Sequence, residues 1–424
     1  MVLCAGCGGS GAPARHDAGG EPAPDASADA MADASADAMP DARDPTVRIR
    51  LSSDPFTGTF EVRFYSPRNE LIAMVTAPRG SVASAAMPEG GTVLVMPDPV
   101  AGDFDGVRGL FGVKPGDDIA LSSPETPRGT DEMPITVPAM AGTAVYRAAT
   151  RCGGGGSITP VVTARISLGC QPPLPIVVHA EDASGTVLGA LRGTSSSTTS
   201  ATLAGPYLAP EVVALQFTNG DRAASFGAGL VPVVGNDPMD DLSQSSSGGQ
   251  LAVHETATLR MATEPAAIVD ARRFNIFWSA VGGGNQQHLR VHAATDSTVT
   301  FDAAVDGLPW HGPPRYDALQ RKLTLGAPPG AVAAGIDGQI ALISLEPDAG
   351  QTIRWTLVIP PDVSEVVIPE FPDTRFDPST RFGVNIMISS AQAIRASSYA
   401  GYDDFRRGVP VTLPVGSFYD VTSW

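Results

Sequence analysis

Aromatic residues make up only 6% of this 424-residue chain. Lysine occurs at just two positions, Lys114 and Lys322. That leaves little room for Schiff-base chemistry, and no Gly-Lys-Ser/Thr ending marks a phosphate loop. The sequence holds no run of about 18 apolar residues, so it contains no transmembrane-helix pattern. Gly-x-Ser-x-Gly is missing, and with it the nucleophile-elbow signature of serine hydrolases. Basic residues number 28 against 45 acidic ones, a net charge of -17. Such a surface repels phosphate backbones, so nucleic acid is not an expected partner.

Glycine (46) and proline (38) are abundant, while 43% of residues are hydrophobic. This composition favours short strands joined by turns over long helices, and the length suits two to four domains. The expected fold class is all-β: tandem β-sandwiches after a disordered N-terminal tether.

Residues 1–45 form the tether. Asp25-Ala-Ser-Ala-Asp-Ala-Met-Ala repeats at Asp33 as Asp-Ala-Ser-Ala-Asp-Ala-Met-Pro. Asp25, Asp29, Asp33, Asp37 and Asp41 would line one face of a helix. Like charges at i,i+4 oppose that helix, and no apolar stripe compensates. A self-repelling coil spanning on the order of 35 Å is the expectation.

Cys4 and Cys7 open this stretch. A zinc site needs about four ligands, and only His16 lies nearby. A redox Cys-x-x-Cys needs a helix N-terminus to lower its thiolate pKa, whereas a disordered tether follows here. Ala5-Gly6-Cys7, followed by Gly8-Gly9-Ser10, resembles the cleavage site of bacterial lipoproteins. The resemblance implies that Cys7 is acylated and anchors the chain in a membrane. Because Gly8 follows Cys7, it also implies an outer-membrane or cell-surface destination. Two departures stand out: Cys4 occupies a position usually held by Leu, and the apolar part of the signal peptide would have to be encoded upstream of Met1.

After Asp44-Pro45 the pattern alternates, as in V-R-I-R-L and E-V-R-F-Y, the mark of half-buried strands. Turn spacing predicts sandwiches over 46–149 and 150–245, then a larger β-sandwich region over 246–424. The stretch Asp237 to Gln250 reads as a polar linker. The hairpin at P-I-V-V-H-A-E-D-A-S-G-T-V-L-G-A and the similar V-R-F-Y-S-P-R-N-E-L-I-A resemble transthyretin-like and carboxypeptidase-regulatory-like modules of bacterial surface proteins.

Cys152 and Cys170, an isolated pair in a chain read as exported, predict a disulfide. His288 and His292 have helical zinc spacing but lie in strand-like sequence, where about 13 Å would separate them. Asp103 and Asp105, in G-D-F-D-G, begin like a calcium loop that lacks its later ligands. Trp310, in L-P-W-H-G-P-P, and Tyr399 and Tyr402, in S-S-Y-A-G-Y-D-D, are candidates for exposed rings that stack on a ligand such as a sugar. No cofactor is expected. The sequence points to a lipid-anchored structural or adhesive module without catalysis, its partner a glycan or an envelope protein. The alternative is a secreted carbohydrate-active hydrolase, with two carboxylates about 5–10 Å apart in the third region.

Overall fold

The computed structural model describes residues 44–51, 59–97, 106–121, 130–326, 330–346, 353–370, 385–409, 411 and 413–424. Cys7, the tether, Asp103 and Asp105 lie outside them. The chain is all-β. Among the described residues the helical elements are a six-residue helix, Tyr402–Arg407, and a short 3-10 turn, Asp240–Leu242. No described helix is long and apolar enough to cross a membrane.

A 13-stranded sheet runs through the molecule. It draws strands from three separate stretches of chain: 59–113, 224–293 and 338–423. Strand Val107–Val113 joins strand Ile353–Ile359 in parallel, with Trp355 opposite Val107.

Three smaller sheets cover parts of its two faces. Thr46–Arg50, flanked by Val82–Ala86 and Asp118–Ala120, packs Val47, Ile49 and Ile119 against Val62, Phe64, Val93, Leu289 and Val421. Arg315–Asp317, Lys322–Thr324 and Glu365–Val367 place Leu323 and Val366 over Leu94, Ala341, Ile343 and Trp355. Glu211–Thr218, between Thr256–Thr263 and Thr298–Asp302, sets Val213, Leu215 and Phe217 on Phe226, Phe274, Ile276 and Trp278. Each layer is a face-to-face sandwich in which alternate residues point inward. The Phe217 ring stacks at 4.5 Å from Phe226 and meets Trp278 edge-on at 5.4 Å.

Residues 130–202 form a separate seven-stranded sheet. Its core joins Leu191, from one end, to Met133 and Leu203 at the other, so the sheet curls around its own interior. The expected disulfide is present: Cys152–Cys170 links the turn after Val145–Thr150 to the end of Val161–Ser167, with Cα atoms 6.1 Å apart.

Strand pairing crosses the linear units drawn at 46–149, 150–245 and 246–424. Thr130–Thr136, placed in the first unit, and Val145–Thr150, cut by the boundary at 149, pair within the seven-stranded sheet. Ala224–Val234 pairs with Ala271–Ala280 across the boundary at 245. The supposed linker is ordered differently too. Gln244–Leu251 is a strand paired with Ala224–Leu230. Its polar sequence is compatible with a strand because the outward face meets solvent and the ladder satisfies the backbone.

Candidate functional site

The face of the long sheet that is buried at Leu289 and Val421 emerges into solvent at strand Ala271–Ala280. Phe277 projects from the middle of this open part and is 46% exposed. It sits between Gly227 on one neighbouring strand and Gln287 on the other. A Cβ at Gly227 would lie 2.6 Å from Phe277 Cζ and 2.8 Å from Cε2. The absent side chain therefore lets the ring lie down across the adjacent strand, presenting a flat face.

Hydroxyls and amides surround the ring. Gln287 Nε2 donates to Asn275 Oδ1 at 3.0 Å, and Ser279 Oγ donates to Asn285 Oδ1 at 2.6 Å. These contacts hold the amides while leaving Gln287 Oε1 and the Asn275 and Asn285 N–H groups available. Beyond Gly227 and Gly229, strand Gln244–Leu251 adds Ser247 and Ser245, both exposed. None of these side chains is charged, although the chain carries -17 overall.

The open face ends at a hairpin tip, Val281–Gly284, between Ala271–Ala280 and Asn285–Ala293. Gly282, Gly283 and Gly284 all have positive φ, 96°, 107° and 92°. At Gly283 a Cβ would meet Trp424 Cζ2 at 2.9 Å, and at Gly284 it would meet Trp310 Cε3 at 3.1 Å. The glycine run is thus a seat for two tryptophans. Trp424 is 39% exposed. Trp310 packs edge-on against Trp278 at 6.3 Å, its Nε1 donates to Asp221 at 3.2 Å, and the Arg222 guanidinium lies 5.4 Å above its ring.

Trp310 is therefore brought beside Trp424 and away from Tyr399 and Tyr402. Those two tyrosines are half-buried and pack on the core beneath Thr46–Arg50. Tyr402 donates its hydroxyl to Phe111 O at 2.6 Å, and burial raises its pKa. Tyr399 meets Phe405 edge-on at 5.9 Å; burial, then Asp337 and Asp404, push its pKa up to about 12. Both rings pack against Phe405 of helix Tyr402–Arg407 and are half-buried there.

His288 and His292 are used separately. His288 is fully buried, stacks on Trp278 at 4.5 Å and bonds through Nδ1 to Asp420 at 2.7 Å. His292 Nδ1 lies 3.5 Å from Asp296. Among the described residues, no three His, Cys, Asp or Glu side chains are grouped to hold a metal ion.

Phe277 escaped the sequence reading because R-F-N-I-F-W shows only a strand; its outward direction depends on which face the other sheets leave open. The available signal was parity: Phe274, Ile276 and Trp278 alternate with Asn275, Phe277 and Ser279.

No family model matches the chain, and none of the curated proteins matches it. Among solved structures it is distantly similar to the TIE protein of Bacillus anthracis, at 11% identity and a TM-score of 0.15. That match covers 61% of this chain and 50% of the other, so the chain spans half of that protein's length. It is also similar to a Ca2+-stabilised adhesin with which an Antarctic bacterium binds ice: 10% identity, TM-score 0.13, 82% of this chain and 88% of that one. A streptococcal ancillary pilin matches at 6% identity and a TM-score of 0.15, over 61% of this chain and 98% of that one.

Proposed function

We propose that this chain is a cell-surface adhesive or binding module without catalysis, held to the outer membrane by a lipid on Cys7. The observation that carries the binding role is the open sheet face around Phe277, lined by neutral amides and hydroxyls. An exposed ring in the middle of a strand gains nothing for the core, and a ring of pre-set amides suits recognition. The reading for the anchor rests on the Ala5-Gly6-Cys7 sequence and the acidic stretch after it. In this account the acyl chain holds the protein, residues 8–43 give reach, and the sheets carry the binding face outward. Because a single acyl chain binds membranes only marginally, the account requires more than one membrane attachment.

The test is fractionation and intact mass of the chain expressed from DNA extended upstream of Met1, beside Cys7→Ser. The native form should pellet with membranes and carry added lipid mass, and Cys7→Ser should lose both. An unmodified, soluble native form overturns the anchor.

A further inference from the structure

We infer that the Phe277 face binds neutral polysaccharide, with one sugar ring stacked on Phe277 and its hydroxyls bonded to Asn275, Gln287 and Asn285. This deepens the proposed binding role and rests on it. Site and sugar are chemically complementary. A pyranose presents an apolar C–H face and an equatorial belt of hydroxyls, each both donor and acceptor. The site presents the same two elements: a flat ring laid across Gly227, and amides at the positions beside and opposite it.

The amides are already oriented by their bonds to each other and to Ser279, which lowers the ordering cost of binding. The exposed surface around the ring is polar, whereas a protein-binding patch gathers apolar anchors at its centre. The charged groups bordering the face, Arg273 and Asp240, are paired and carry no net charge, which within a chain of -17 disfavours anionic glycans and phosphate-bearing ligands alike. The row continues onto Ser247 and Ser245 without a wall, so the face accepts an extended chain as well as a single sugar.

The experiment is affinity electrophoresis of the full chain through gels containing a β-glucan, a galactomannan, a dextran or, as the anionic comparison, polygalacturonate. At least one neutral polymer should retard the native chain, and retardation should survive 0.5 M salt. Phe277→Ala should weaken it about tenfold or more, while Phe277→Tyr should retain it. Thermal unfolding of Phe277→Ala should match the native chain, which separates binding from folding. No retardation by any neutral polymer, or retardation unchanged in Phe277→Ala, overturns the inference.

Pelleting with envelope fragments distinguishes the two levels of failure. If Phe277→Ala abolishes pelleting but no neutral polymer binds, the ligand class is wrong and the binding face stands. If pelleting is the same in both, the face itself is not the binding site.

Discussion

His179 is the residue on which the junction between the seven-stranded sheet and the rest of the molecule turns. It is fully buried on the outer face of strand Leu174–Glu181, with its Nε2 against Glu264 and its Nδ1 3.8 Å from Glu181. Thr263 donates to Glu264 at 2.6 Å, Arg147 to Glu181 at 3.0 Å, and Arg272 to the Glu264 carbonyl at 2.7 Å. Around this polar knot Ala149, Val177 and Ala190 pack on Val234, Met239 and Ile268. Burial opposes charge on His179, but Glu264 and Glu181 outweigh it and push its pKa up to about 9. A pKa raised on folding stabilises fully below the unfolded value and is lost as pH rises through the folded one. Stability should therefore fall between roughly pH 6.5 and 9, by up to about 3 kcal/mol. In urea titrations across that range His179→Gln should flatten the slope; an equal slope in both proteins would contradict the assignment.

Asp420 is the second such residue. It is completely buried and receives Arg395 at 2.5 Å, Arg290 and His288. Burial lowers the His288 pKa, and the Asp420 hydrogen bond offsets this only in part. Two guanidinium groups around one carboxylate make the pair intolerant of losing its anion. Asp420→Asn should cost about 3–5 kcal/mol by urea midpoint. A cost below about 1 kcal/mol, the surface-pair range, would show that the knot is solvated.

At the scale of elements, alternation identified strands well. Val47 and Ile49, and Val62 and Phe64, are buried as V-R-I-R-L and E-V-R-F-Y imply. The strand Gln244–Leu251 was illegible because Q-S-S-S-G-G-Q has no apolar residue before Leu251. Tertiary pairing made it a strand, and Gly248 leaves room for the Phe226 ring beside it. Phe277 was legible as a strand residue but not as a site, since exposure depends on which sheets cover which face. The disulfide was legible from an isolated cysteine pair in a chain read as exported. It closes an 18-residue separation, and its loss in Cys152→Ala/Cys170→Ala should cost about 3 kcal/mol by chain entropy. An unchanged urea midpoint would place its role elsewhere than stability.

At the scale of the whole molecule, strand partners distant in sequence hid the domain boundaries. Strand Val107–Val113 finds its partner at Ile353–Ile359, and no local pattern announces a pairing that far away. The seven-stranded sheet differs: its strand partners and its core, from Met133 to Tyr207, all come from one stretch. Residues 130–208 should therefore fold alone, with dispersed amide NMR signals, whereas 46–149 alone should stay unfolded. A folded 46–149 fragment would show that the long sheet is not a cooperative unit.

The same long sheet presents Phe277, which makes surface display of that face the central claim. The most direct measurement is retention of cells on a surface coated with neutral polysaccharide. Cells carry either the native chain or Phe277→Ala, at equal surface abundance checked by protease accessibility. The account predicts that cells with the native chain are retained and cells with Phe277→Ala wash off. Equal retention of both, or retention of neither, would contradict it.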